Sequence, residues 1–361
     1  MSNASVCIDG SQGEGGGQIV RSSIALSMVM GRPVVIEGVR AGRERPGLMR
    51  QHLTSVRAAM QICGARVTGD VIGSSVLSFE PDVVKPGEYQ FDVGSAGSAT
   101  LVLQTVLPPL LVAAGPSRLV LEGGTHNPWA PPFDFLHAAY LPLVNRLGPT
   151  VTARLDRHGF YPAGQGRFVV EIQPSRPSEN MHGDLGLSGF HLLERGSIVR
   201  RQGRVLLSNL PDHIAVRELA ELERLANWTP GDLSRQPTNA AGPGNVVILE
   251  LKSKHVTEVF IAFGERGVRA EVVAHRVFDE MQDYLKADVP VGPHLADQIL
   301  LPLGLCASQS GIPRERRQSS FRTMPLTQHS KTHINVMQAF LDISVDVKSD
   351  PENGDTIVAI G

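Results

Sequence analysis

Apolar positions in this chain fall into two kinds of segment, and the order of those segments is the first structural signal. From Gly17 to Met30 they recur so densely that Gln18, Arg21 and a few serines alone interrupt them, which predicts an apolar helix. Val34-Val35-Ile36-Glu37-Gly38 then reads as a short strand, and His52 to Cys63 as a second helix. The same series returns about 85 residues further on. There it is helix Gly97 to Ala114, strand Leu119-Val120-Leu121-Glu122-Gly123 and helix Phe133 to Leu147, with Pro131 in the place of Pro46. Each copy is a β-α-β-α-β type of unit with its helices on one side of a sheet.

A third, more degenerate copy starts at Gly292-Pro293-His294-Leu295-Ala296-Asp297-Gln298 and runs through an apolar helix to Ala307. It ends in a helix-like stretch from His333 to Leu341 and a strand from Ile343 to Val347. Within it, Ser308 to Ser320 carries Arg314-Glu315-Arg316-Arg317 and reads as a mobile insertion. Residues 184–287 break the rhythm. They suggest strands at Ile198 to Ser208, Val246 to Lys252 and Glu258 to Gly264, helices at Ile214 to Ala226 and Ala270 to Lys286, and turns over 227–245. The expectation is an α/β (α+β) chain in which three repeats form a large domain from residues 1–183 and 288–361, with a smaller α/β domain inserted over 184–287.

Composition narrows the partners. With 361 residues, 42% hydrophobic and 19% charged, the chain has room for two or more domains and a sizeable core. A net charge of −2 excludes a global basic field, so any polyanion site must be a local patch. Six lysines stand against 28 arginines, the residue suited to bidentate phosphate contact, although gene base composition can produce the same bias. Cys7, Cys63 and Cys306 are isolated, with no metal-ligand spacing, which points to a reducing, cytoplasmic setting. The longest apolar run, Leu101 to Ala114, contains Gln104, Pro108 and Pro109 and is too short for a bilayer; the polar start Met1-Ser2-Asn3-Ala4 lacks signal-peptide character. No membrane role and no stable protein partner is expected.

Candidate chemistry begins at Gly13-Glu14-Gly15-Gly16-Gly17-Gln18-Ile19-Val20-Arg21, followed by Arg40-Ala41-Gly42-Arg43. Glycines let backbone N–H groups approach an anion, the following helix adds its positive end, and arginines supply forked donors, so the two stretches together read as a phosphate site. Neither a Walker loop nor a dinucleotide fingerprint is present. Glu14 can ligate a divalent metal shared with phosphates; the ordinary alternative is a helix N-terminal acid. Equivalent helix starts in a repeat lie on one side, which predicts that Glu14, Ser95 to Ser98 and Asp297-Gln298 approach one another. Asp297-Gln298 offers an acceptor and an amide for a base or ribose edge. His329, among hydroxyls and Lys331 before the last helix, is a candidate general base or nucleophile toward phosphorus, against the plain alternative of a loop histidine without chemistry.

Taken in order, these motifs resemble the RNA 3′-terminal phosphate cyclase family over nearly the whole chain. They are Glu14 to Arg21, Arg40-Ala41-Gly42-Arg43 with Pro46-Gly47-Leu48 and Gln51-His52-Leu53, Gly94 to Ser98, Gly123-Gly124-Thr125 with Asn127-Pro128 and Ala130-Pro131-Pro132, His158 to Pro162, and His294 to Gln298. The resemblance implies three β-α-β-α-β-β repeats, like the C-terminal domain of translation initiation factor three, and a thioredoxin-like insert. It implies ATP-dependent conversion of an RNA 3′-phosphate to a 2′,3′-cyclic phosphate, with release of AMP and pyrophosphate, through a histidine in a His-x-x-Thr segment that falls here on His329 and Thr332. By the same carry-over, Glu14 with a divalent metal (Mg or Mn), Arg21, Arg40 and Arg43 neutralise the displaced phosphates. Gln51 and Gln104 hold phosphate or ribose oxygens, and Pro131, Asp297 and Gln298 frame the nucleoside.

Three departures from the family pattern stand out. His333 follows Thr332 where Asn is frequent and so competes with His329; His294 occupies a position, beside the adenosine, that is often aromatic; and His126 replaces a commoner acid. The Arg-rich loop 311–320 is longer than usual and reads equally as an RNA contact or a tether. A non-catalytic cyclase-like ribosome-assembly factor is the alternative function, and the presence of His329, Glu14 and Arg21 weighs against it. An enolpyruvyl transferase is the third reading, disfavoured because it needs six repeats.

Overall fold

The computed structural model describes residues 5–13, 15–175, 183–226, 228–350 and 354–361. Its first repeat contains β1 (Val6–Asp9), α1 (Gly17–Met30), β2 (Val34–Glu37), α2 (Arg50–Cys63), β3 (Arg66–Thr68) and β4 (Leu77–Glu80). β1 and β2 are parallel, as a helical crossover requires, and β4 is antiparallel to both neighbours, giving the order β1-β2-β4-β3. The second repeat is built from β5 (Glu88–Asp92), α3 (Ala99–Leu111), β6 (Ser117–Gly123), α4 (Phe133–Phe135), α5 (Leu141–Asn145), β7 (Thr150–Arg157) and β8 (Gly166–Gln173). It repeats the pattern as β5-β6-β8-β7. A π-helical turn, Leu136–Tyr140, joins α4 to α5 where one continuous helix was expected.

The third repeat opens earlier than its sequence suggests. A two-residue strand, β9 (His191–Leu192), precedes the inserted unit of β10 (Ile198–Ser208), α6 (His213–Ala226), β11 (Leu233–Pro237), β12 (Gly244–Ser253), β13 (Thr257–Phe263) and α7 (Ala270–Ala287). The repeat resumes with α8 (Pro293–Ala307), α9 (Arg314–Arg317), β14 (Ser319–Thr323), α10 (Gln328–Phe340), β15 (Val345–Ser349) and β16 (Thr356–Ile360). β9 pairs in parallel with β14, so the sheet order β15-β16-β14-β9 matches the other two. The start of the insert at 184 is therefore corrected: its own strands begin at Ile198, and a two-residue strand is too short to show a period. The insert orders its strands β11-β10-β12-β13, with β10 and β11 parallel and the others antiparallel, a thioredoxin-like β-α-β then β-β-α arrangement. β11 falls inside the stretch expected to be turns only.

Two further expectations change. Ser308 to Ser320 is docked rather than loose: Arg317 Nη1 donates to Ala307 O (2.7 Å), Arg316 Nε to Ser188 Oγ (3.2 Å), and Gly189 N to Arg316 O (2.7 Å). The final helix starts at Gln328, five residues before its apolar period begins, because Thr327 caps it by accepting from Ser330 N (3.1 Å).

Packing explains which helices surround the site. In α1, α3 and α8 the buried residues go almost all the way round, as expected for helices enclosed by others. α1 packs against α2, α3 and α10, and α10 packs against α8. The insert sheet is buried on both faces. Val205, Leu207, Val247 and Leu249 face its own helices, while the alternate residues Leu206, Val246 and Ile248 join the core of the repeats. On β13 the same alternation sends Phe260 and Ala262 inward and Val259, Ile261 and Phe263 toward the repeats.

One carboxylate stitches the insert to α8. Glu258 on β13 accepts a hydrogen bond from Gly292 N, the N-cap of α8, and burial pushes its pKa from the ordinary 4.5 up to about 8. A raised acid pKa leaves stability intact below the unfolded value and removes it as pH climbs through the folded one. Glu258→Gln keeps the acceptor and eliminates the ionisation. The variant is expected to match the parent in melting temperature near pH 4.5 and to exceed it by a few degrees at pH 8.5, as read by calorimetry.

Candidate active site

The polar residues that interrupt the three buried helices meet one another. Gln18 and Arg21 come from α1, Gln104 from α3, and Asp297 and Gln298 from α8; all five line one cavity of about 410 Å³, together with Pro131, His294, His329 and His333. The insert closes a side of it with Val259, Ile261, Phe263 and Glu280. Sequence reasoning missed those four. The signal was present in β13, where apolar residues on both faces require a cover on each.

A hydrogen-bonded chain crosses the cavity floor. Gln18 Nε2 donates to Asp297 Oδ1 (2.7 Å), Gln298 Nε2 donates to Asp297 Oδ2 (3.3 Å), and Gln104 Nε2 donates to Gln298 Oε1. His333 Nδ1 lies 3.2 Å from Asp297 O and 3.3 Å from Gln18 Nε2, with its buried Nε2 unpartnered. His329 is exposed in the first turn of α10, its Nδ1 3.2 Å from Gln18 Oε1. Burial alone would raise the Asp297 pKa, yet the hydrogen bonds and charges of His333, Gln18 and His329 hold it below the usual carboxylate range. Asp297 is thus an ionised acceptor, which fixes the Gln18 amide: NH2 toward Asp297, carbonyl toward His329. That carbonyl requires a hydrogen on His329 Nδ1 and places the ring lone pair on Nε2.

The expected phosphate site forms a second cluster, at the start of α1. Burial lowers the Arg21 pKa to about 10, against the pull of Asp297, so Arg21 stays cationic. Burial, helped by the charges of Arg21 and Arg40, drives His52 down to about 3, so this imidazole is neutral. Arg40, in a left-handed backbone conformation (φ 55°), donates from Nη1 to Arg45 O (2.6 Å) and Gly47 O (2.9 Å). Arg43 reaches Gly16: a Cβ there would stand 3.3 Å from Arg43 Nη2. Arg40, Arg43 and Gln51 lie outside the cavity wall. So does the Ser95 to Ser98 turn, which was expected beside Asp297 and packs instead with Gly97 against the Gln51 Cβ. Glu14 lies outside the described residues, and among the described residues no group of three or more His, Cys, Asp or Glu is arranged to hold a metal.

Two glycines are needed for their lack of a side chain. Gly13 has φ 59°, and a Cβ on it would overlap Thr332 Oγ1; a Cβ on Gly17 would overlap His52 Nε2. The first contact presses the glycine-rich loop onto the helix that carries His329. Gly17→Ala is expected to lower stability by about 1–3 kcal/mol, the usual cost of overpacking, measured by urea unfolding. Unchanged stability would mean that His52 yields easily.

The fold is that of a three-repeat α/β protein with a thioredoxin-like insert. Comparison with known proteins narrows this further: the sequence profile described as RNA 3′-terminal phosphate cyclase matches residues 12–347. A relative from Koribacter versatilis named RNA 3′-terminal phosphate cyclase is 45% identical over 96% of this chain and 93% of its own. Relatives of the same name from Pseudomonas fluorescens and Ralstonia nicotianae are each 45% identical, covering 92% and 95% of this chain and 92% and 93% of theirs. The chain belongs to the RNA 3′-terminal phosphate cyclase family.

Proposed function

We propose that this protein is an ATP-dependent RNA 3′-phosphate cyclase that works through His329. The observation that carries the reading is the Asp297–Gln18–His329 chain, which holds an imidazole at the wall of a nucleotide-sized cavity in the tautomer a nucleophile needs. His329 Nε2 attacks the α-phosphorus of ATP, and the bond to pyrophosphate breaks. A 3′-phosphate oxygen of the RNA then attacks the same phosphorus, displacing the imidazole and giving an RNA adenylate. The neighbouring 2′-hydroxyl closes on the 3′-phosphorus and AMP leaves.

Charge develops on the leaving oxygens, and cations fixed beforehand stabilise it most effectively. Arg21, Arg40 and Arg43 around the glycine loop fill that role in this reading. Pro131 and His294 sit with the apolar insert wall against the nucleoside, and Gln104, Gln298 and Gln51 offer amide contacts to phosphate or ribose. A divalent Mg or Mn would be held by one carboxylate, for which Glu14 is the candidate, and by the phosphates themselves, as is usual for Mg. When bound it would offset phosphate charge. No helix among the described residues is long and apolar enough to cross a membrane; a cytoplasmic site of action is part of this proposal.

Incubation with α-labelled ATP and a divalent metal tests the nucleophile. Acid-labile, alkali-stable label is expected on the parent protein and on His333→Ala, and none on His329→Ala. The reverse pattern would move the nucleophile to His333. An oligonucleotide with a 3′-phosphate then reads cyclisation, and labelling without cyclic product would favour a role in assembly over catalysis. Gln18→Leu should slow labelling on the order of tenfold or more, because His329 loses its tautomer restraint. Its KM for ATP should move far less, and an equal change in both constants would contradict the positioning role.

A further inference from the structure

Of the twelve Phe, four Tyr and two Trp in the chain, Trp129 and Tyr161 alone are exposed, at 87% and 62%. They stand on different loops that lean on the same turn. Asn127 Nδ2, two residues before Trp129, donates to Ala96 O (2.7 Å). Gly164, three residues after Tyr161, sits so close that a Cβ on it would lie 2.8 Å from both Ala96 Cα and Ser95 O. The Trp129 loop is stiffened by Pro128, Pro131 and Pro132 and by Ala130 N donating to Asn127 O (3.3 Å). Trp129 borders the cavity that contains His329 while keeping most of its ring in solvent, so it stands on the rim. At the base of the Tyr161 loop, the exposed Arg157 donates from Nε to Gln165 O.

We propose that Trp129 and Tyr161 form a stacking platform for unpaired bases at the 3′ end of a nucleic-acid strand entering the cavity. A large aromatic ring held rigidly in water has little to gain from the protein itself, whereas every base offers it a π-face and a low ordering cost. The nucleoside of ATP is the less suitable occupant. The apolar wall of Val259, Ile261 and Phe263 lines the inside of the cavity, whereas Trp129 stands on its rim and Tyr161 on the loop that leans on the same Ser95-Ala96 turn. The choice of RNA as the strand rests on the cyclase reading.

The test uses the full chain with Trp228→Phe, which leaves Trp129 as the one tryptophan reporter. A single-stranded RNA oligonucleotide ending in a 3′-phosphate is expected to quench it, and ATP alone is not. Trp129→Ala should raise the Kd for that oligonucleotide about 5- to 100-fold, the range for one base stack. Tyr161→Ala should raise it as well, Trp129→Phe should retain most of the affinity, and an oligonucleotide abasic at its last two positions should bind parent and Trp129→Ala alike. An unchanged Kd in both alanine variants, or an indole that responds to ATP and not to RNA, overturns the platform. Because the readout is binding, the two readings separate. Stacking without any cyclisation refutes the activity alone, and cyclisation by a protein whose Kd ignores both rings refutes the platform alone.

Discussion

A half-buried, ionised carboxylate is the constraint around which the site is organised. Asp297 sits where the first helices of three repeats converge, and with water mostly excluded a carboxylate persists there only if its oxygens are satisfied. Gln18 from the first repeat and Gln298 from the third donate to it, and Gln104 from the second is tied in through Gln298. Each donor is one of a few polar positions on a largely buried helix. Removing the carboxylate would take the acceptor from the Gln18 amide on α1 and the Gln298 amide on α8, so the contact ties the first repeat to the third and sets the orientation of His329.

The repeat architecture explains why such convergence is available. Three units with one strand order bring residues of their first helices, α1, α3 and α8, to one central cavity, although the turn that starts α3 stays outside it. Three repeats leave that centre open on one side. The insert, entering between β9 and α8, covers it with the outward face of β13, and Glu258 fastens the same strand to the cap of α8. The insert is thus a wall of the cavity and not an appendage. Its second apolar face exists because the cavity needs an apolar side.

Legibility in the sequence followed the length and regularity of the signal. The long buried helices α1, α3 and α8 stood out because long, mainly apolar runs with few polar residues have few other readings. β9 and β11 were lost: two residues cannot display a period, and β11, Leu-Ser-Arg-Gln-Pro, is polar enough to pass for turn. The mobile reading of 308–320 failed because arginine in a loop suggests solvent, while here the guanidinium groups of Arg316 and Arg317 bond to Ser188 and a backbone carbonyl. In the site, individual residue types pointed to His329, Arg21 and Asp297. Contacts between distant repeats decided the rest: nothing local in the sequence says that Gln18 spans Asp297 and His329, or that His52 presses on Gly17.

The state of His52 bears on how the glycine loop would accept the polyanion of the proposed reaction. Were this imidazole protonated, four cationic groups would crowd the start of α1. Burial beside Arg21 and Arg40 instead keeps it neutral at any physiological pH, with Nδ1 accepting from Met49 N (3.1 Å) at the head of α2. The remaining guanidinium groups still repel one another: the Arg40 pKa is lowered first by burial and then by the charge of Arg43. Their mutual repulsion is a standing cost that the triphosphate of the proposed reaction would relieve. The cations need no rearrangement to meet it, since backbone carbonyls already hold Arg40. In the proposed reaction, departure of pyrophosphate would return the cluster to its repelling state, so the same electrostatics would favour capture of a highly charged nucleotide and hold a singly phosphorylated adenosine on His329 less tightly.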